Sequence, residues 1–196
     1  MPAPKILVIP GTLRAGSYNA RLAALAAKEL ALVDAEVTRI SLVDYPLPLF
    51  DAEMIAEIGP PRAAVQLQHM LQAHHGVFIT SPEYTASVSP LLKNTIDWLS
   101  RTRGRGEADY AAFKNRVFAI GAASSGASGG LRSLMALRQI LELGCGALVI
   151  PEQISVADAG EAFDEKDNLK DERLAAALKA SARRLAELAR LTAWEK

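Results

Sequence analysis

Ile6-Leu-Val-Ile-Pro-Gly-Thr-Leu-Arg-Ala-Gly-Ser-Tyr-Asn-Ala-Arg-Leu22 joins two periodicities in one stretch. It opens on a short apolar run, breaks at Pro10-Gly11 and crosses a polar loop. Beyond the loop, apolar residues recur at Leu22, Leu25, Ala26, Leu30 and Val33, which is mostly helical spacing. The pattern predicts a buried strand, a tight turn and an amphipathic helix, the first half of a βαβ unit. The loop carries Thr12, Arg14, Ser17 and Asn19 at the foot of the helix. A helix start offers unpaired N–H groups and the positive end of a dipole, so hydrogen-bonding side chains and a guanidinium there suit a phosphate.

The kind of phosphate follows from what the loop lacks. A P-loop needs two glycines at fixed spacing followed by Lys and Ser/Thr, and a dinucleotide fingerprint needs three glycines. Only Gly11 and Gly16 are present, at neither spacing. Hydroxyls with one Arg fit a terminal monophosphate such as that of FMN; the alternative is an ordinary surface turn.

The rest of the chain repeats the alternation. Glu36 to Leu42 reads as a second, less buried strand, and the apolar, proline-bearing Tyr45–Asp51 as a loop. Val65 to Ala73 is helical in pattern, and Val77–Thr80 is a third strand, apolar throughout as a central parallel strand should be. Ser89-Pro90 reads as an N-cap followed by Pro at the first helical position. Arg101–Asp109 is a charged, glycine-bearing linker, Arg116–Gly121 a fourth strand, and Ser124–Gly130 a loop of small residues. A helix through Leu131 and Leu141, a fifth strand at Ala147–Ile150 and a long helix through Leu174 and Leu188 complete the chain. Five strands alternating with helices predict an α/β doubly wound parallel sheet, in one domain over residues 1–196. With strand order 2-1-3-4-5, ligands bind where strands 1, 3 and 4 end. Those ends carry the three unusual loops.

Composition narrows the function. Lys+Arg and Asp+Glu both number 22 in 196 residues. That balance argues against nucleic-acid binding, which normally shows a basic excess, and against an acidic carrier that docks by charge steering. The single Cys145 excludes an internal disulfide and, at the edge of an apolar run, reads as a buried, inert thiol. His69, His74 and His75 lack the acidic or cysteine partners of a metal site. With no signal peptide and no apolar run long enough to span a bilayer, a soluble, cytoplasmic protein is expected.

Two motifs resemble the NADPH-dependent FMN reductase family, flavodoxin-like enzymes that include quinone, azo-dye and chromate reductases. After strand 1 the family shows Gly-Ser-x-Arg, then Ser and Asn; here stand Gly11-Thr12-Leu13-Arg14, Ser17 and Asn19. After strand 3 it shows Pro-Glu-Tyr-Asn, then Leu-Lys-Asn-Ala-Ile-Asp-Trp; here stand Pro82-Glu83-Tyr84-Thr85 and Leu92-Lys93-Asn94-Thr95-Ile96-Asp97-Trp98. Thr85 and Ala86 replace the family's common Asn and Gly. The resemblance implies that Thr12, Arg14, Ser17 and Asn19 hold the FMN phosphate. It implies that Pro82, Glu83, Tyr84 and Thr85 face the flavin, Glu83 through its backbone, and that Ser124, Ser125 and Gly126 line the ring's far side. It further implies hydride transfer from NADPH or NADH to flavin N5, then electron delivery to a small quinone, azo, nitro or metal-oxyanion acceptor. No protein acid, base or nucleophile is required. A homodimer or homotetramer is implied as well, with the apolar 45–50 loop suited to the interface. The competing reading is a flavodoxin-type electron carrier or redox-responsive FMN-binding protein. Arg101, Arg103 and Arg105 would suit the 2′-phosphate of NADPH, but their loop lies at the far end of its helix from the flavin edge and reads as solvated.

Overall fold

The computed structural model describes residues 2–192. Five strands form one parallel sheet: β1 (Lys5–Pro10), β2 (Glu36–Arg39), β3 (Gly76–Thr80), β4 (Val117–Ala123) and β5 (Leu148–Val156), in the order β2-β1-β3-β4-β5. The order is the flavodoxin-like one the sequence predicts. The helices are α1 (Tyr18–Ala31), α2 (Ala52–Ile58), α3 (Arg62–Ala73), α4 (Pro90–Arg101), α5 (Leu131–Gln139), α6 (Ala159–Ala162) and α7 (Glu172–Thr192).

Alternation within the strands builds two cores. Ile6, Val8 and Phe78 pack with Leu22, Ala26 and Leu30 of α1 and with Leu178 and Leu185 of α7. Leu7, Ile9, Val77 and Ile79 point the other way, against Leu67, Leu71, Leu92, Ile96 and Leu134 of α3, α4 and α5. Every residue of β3 and β4 is buried, hence their apolar sequence, interrupted at Thr80, whose hydroxyl is hydrogen-bonded to Asn19 O.

Several boundaries differ from the sequence reading; β4, for one, runs from Val117 to Ala123 where Arg116–Gly121 was expected. β2 ends at Arg39, because Ser41 caps a 3-10 turn at Leu42–Asp44 and turns the chain away from the sheet. β5 continues to Val156 through Pro151; it is an edge strand, and its register against β4 shifts between Phe118 and Ile120. The helix α2 was not expected from the sequence. It is seven residues long with none buried, too short to declare a helix by its apolar spacing, and it starts because Asp51 accepts hydrogen bonds from the N–H groups of Glu53 and Met54. The four-residue α6 was likewise too short to leave a period. Ser89 behaves as expected, accepting from Leu92 N–H with Pro90 at the helix start.

Candidate functional site

Side-chain and backbone hydrogen bonds tie the ends of β1, β3 and β4 together. Gly11 donates its N–H to Thr80 O at 2.7 Å and accepts from Ser89 Oγ at 2.8 Å. A Cβ at position 11 would lie 2.8 Å from Thr80 O, so only glycine permits this approach. Ser81 N–H donates to Gly121 O at 2.9 Å, and Thr80 Oγ1 donates to Asn19 O at 2.9 Å. The loops after β1, β3 and β4 therefore share one edge.

The β1–α1 loop presents its groups at the start of α1. Ser17 is the N-cap, its Oγ accepting from Ala20 N–H at 3.2 Å, and Thr12 Oγ1 accepts from Arg14 N–H at 3.2 Å. Each hydroxyl keeps its proton to donate. Arg14 is exposed, and no acid among the described residues pairs with it. Two hydroxyl donors and an uncompensated guanidinium at a helix start match the donor set a phosphate monoester needs. Asn19 departs from the expectation that its side chain holds that phosphate. It is 3% exposed, Nδ2 donates to Ala123 O at 2.8 Å and Oδ1 accepts from Ala123 N–H at 3.1 Å. Its carboxamide braces the β4 exit.

After β3, Pro82 and Glu83 are half-buried, while Tyr84 is 55% exposed. Tyr84 and Ser87 exchange both backbone hydrogen bonds at 3.0 Å around Thr85 and Ala86, which take φ of 49° and 59°. This is the left-handed two-residue turn that Asn-Gly would adopt readily, here made by residues that resist it. Glu83 does more with its side chain than the sequence suggests. Only 7% of that side chain is exposed; one oxygen pairs with the Arg132 guanidinium and the other accepts Arg132 N–H at 3.2 Å. The carboxylate so complements the N-terminal end of α5 and anchors the loop there. Nothing in the sequence pattern pairs Arg132 with Glu83.

The β4 loop completes the edge. Ser124 N–H donates to Val156 O at 3.0 Å, and Ser124 Oγ accepts from Gly126 N–H at 3.2 Å. Ser125 and Gly126 are exposed. Gly130, at φ 82°, starts α5 with its Cα facing Ala122; a Cβ there would meet the Ala122 Cβ at 2.7 Å. The motif helix α4 is structural: Lys93 pairs with Asp97 at 2.8 Å, and Asn94 Nδ2 and Trp98 Nε1 both donate to Pro48 O at 2.8 Å. Phe50 adds an edge-on contact with Trp98, ring centres 5.2 Å apart.

The buried groups with displaced proton affinities lie away from this edge. Burial lowers His74 and brings Arg116 down to about 10, both at the opposite end of the sheet, and burial pushes the Cys145 thiol up to about 11. No group of three or more His, Cys, Asp or Glu among the described residues is arranged to hold a metal. No helix among them is long and apolar enough to cross a membrane.

Comparison with known proteins identifies the family and agrees with the fold. Residues 4–161 match the model of the NADPH-dependent FMN reductase family. The chain is 33% identical over 171 residues to an NAD(P)H-dependent FMN reductase of Pseudomonas aeruginosa, covering 86% of each protein. It is 36% identical over 138 residues to a quinone reductase of Escherichia coli, covering 70% of this chain and 69% of that one. Its fold matches the flavoenzyme NAD(P)H:(acceptor) oxidoreductase FerB of Paracoccus denitrificans, with a TM-score of 0.78 at 23% identity over 97% of this chain and 99% of that one. The family match spans more than half of the chain and the relatives agree with it, and the chain belongs to the NADPH-dependent FMN reductase family.

Proposed function

We propose that this protein binds one FMN per chain and catalyses NAD(P)H-dependent reduction of small acceptors, quinones first among them. The observation that carries the reading is the tying of three loop-bearing strand ends to one edge, with hydroxyls and an unpaired guanidinium at the start of α1. When bound, FMN would supply the redox chemistry, taking up two electrons from the nicotinamide as hydride and delivering them to the acceptor.

Thr12, Arg14 and Ser17 would hold the phosphate. The Pro82–Thr85 and Ser124–Gly126 segments would flank the ring, with backbone N–H groups directed at the edge where negative charge collects. Tyr84 would cover the open face and exclude water. Asn19 would keep the β4 loop in position through Ala123. A site of apolar and backbone contacts discriminates weakly between similar ligands, so nitro, azo and metal-oxyanion acceptors belong to the same proposal. A homodimer or homotetramer in the cytoplasm fits the exposed Leu49 (84%) and Ile58 (79%) on the 45–58 segment and the buried, reduced Cys145.

The test is direct. Cofactor released from purified protein by heat should be identified by mass as FMN, and anaerobic NADPH should bleach the visible flavin band. Recovery of FAD, or failure of apoprotein to take up FMN, would overturn the proposal.

A further inference from the structure

A cleft of about 590 Å³ opens on the β2 side of the phosphate loop. One wall is Thr12–Gly16; the other is the segment from Arg39 to Tyr45, which leaves the end of β2. Arg39 sits there because β2 pairs with β1 in register, Val8 opposite Arg39, which sets the end of one strand beside the loop of the other. Arg14 and Arg39 both line the cleft, both are exposed, and neither has an acidic partner among the described residues. Leu13 and Val43, also in the lining, are 54% and 57% exposed. Asp44 is the one acid in the lining.

These features together describe a nucleotide subsite. Two aliphatic side chains left in water offer a slot for a flat apolar base. With Arg14 taken up by the FMN phosphate in the reading above, the Arg39 guanidinium is the fork for a second phosphate dianion. The Asp44 carboxylate close by can accept a ribose hydroxyl. The cavity volume lies in the usual range for small-molecule sites. Resting on the reading proposed above, we propose that this cleft holds the adenosine 2′-phosphate end of NADPH and that Arg39 is the residue that selects NADPH over NADH. β1 separates β2 from β3, so the cleft lies about 10 Å, two strand spacings, from the β3 exit. One dinucleotide laid across the phosphate loop spans that distance and brings its nicotinamide to the proposed flavin. Of the rival cations, Arg101 and Arg103 are already engaged: both pair with Asp109, at 3.2 and 3.1 Å, and Arg101 also lies over the Tyr110 ring.

The FMN-loaded protein should be titrated calorimetrically with 2′,5′-ADP, 5′-AMP and inorganic phosphate. The 2′,5′-ADP should bind at least ~10-fold tighter than either of the others and compete with NADPH. Arg39→Ala should weaken 2′,5′-ADP by ~10-fold or more, the scale of a lost charge-assisted hydrogen bond, and lower the NADPH-to-NADH ratio of kcat/KM by a similar factor. Arg39→Lys should restore part of both. FMN content measures folding of the variants. Equal binding of 2′,5′-ADP and 5′-AMP, or of 2′,5′-ADP and phosphate alone, would overturn the assignment. So would an Arg39→Ala variant whose coenzyme ratio is unchanged, or a loss of preference on Arg101→Ala/Arg103→Ala instead. A protein that reduces its flavin with either coenzyme yet ignores 2′,5′-ADP refutes only the cleft, whereas absence of FMN refutes the underlying reading.

Discussion

The carboxamide of Asn19 and the backbone of Ala123 pair in both directions, Nδ2 donating to Ala123 O at 2.8 Å and Oδ1 accepting from Ala123 N–H at 3.1 Å, across 104 residues of sequence. The pair joins the first turn of α1 to the last residue of β4 in a buried setting, where each unmet polar group costs about 1–3 kcal/mol. Asn19→Ala should therefore lower unfolding free energy by ~2–4 kcal/mol. It should also weaken FMN and riboflavin alike, since it loosens a loop and removes no phosphate ligand. Denaturant unfolding and flavin titration check this; a loss confined to FMN would make Asn19 a phosphate ligand after all.

Arg14 is expected to behave in the opposite way. Its side chain is exposed and unpaired among the described residues, so Arg14→Ala should leave the unfolding midpoint unchanged. FMN affinity should fall by ~1.5–3 kcal/mol while riboflavin, which lacks the phosphate, binds as before. Equal weakening of both flavins would remove Arg14 from the phosphate site.

The turn at Thr85-Ala86 keeps a left-handed geometry that its residues disfavour. Glycine enters that region without a Cβ penalty of about 1–2 kcal/mol, less its own greater unfolded-state entropy. Ala86→Gly should thus stabilise the protein by ~0.5–1 kcal/mol. A lower midpoint on urea unfolding would show that the turn is not strained at this position.

The central architecture was legible because burial is written into the sequence. β3 and β4 lie between two helical layers and are apolar nearly throughout, and Ser89-Pro90 declares the start of α4 by its chemistry. Helix α2 was not legible, because at seven residues with none buried it is too short to declare itself by apolar spacing. Most of β5 was hidden by Pro151 and the register shift that an edge strand tolerates. The same division holds at the site. The three loops stand out by composition, whereas the Glu83–Arg132 clamp spans 49 residues and follows no local rule. Arg39 left only a coarse signal: a strand predicted to pair with β1 comes close to the phosphate loop, but with that strand read to Leu42 its end did not point to Arg39.

Cys145 is 4% exposed, and burial first, then the field of Asp97, lifts its thiol to about 11. The thiolate is the reactive form, so at neutral pH the native protein should resist maleimide for as long as it stays folded. Labelling should become rapid in denaturant. Fast labelling of native protein would place this thiol in an opening that the static fold does not contain.

His74 gives the fold a predictable acid sensitivity. The residue ends α3 with 6% exposure, and its Nδ1 lies 2.6 Å from Met70 O, a geometry in which the neutral ring donates. Desolvation is the main reason its pKa lies below the ordinary 6.5. Met70 O pulls the other way, Lys5 and Arg116 add to the lowering, and Glu36 opposes it. Because the folded value is the lower one, the unfolded chain takes up the proton first as pH falls. Above 6.5 neither state is protonated at this ring and its contribution is fully present. Below 6.5 stability declines with falling pH, and the decline levels off once the folded ring also titrates. His74→Gln keeps an N–H for Met70 O and removes the titration. Unfolding midpoints in urea, measured from about pH 7.5 down to about pH 5, should fall less steeply in the variant than in the parent, with His69 and His75 common to both. Parallel slopes would mean that the ring reaches solvent and titrates as it does in the unfolded chain.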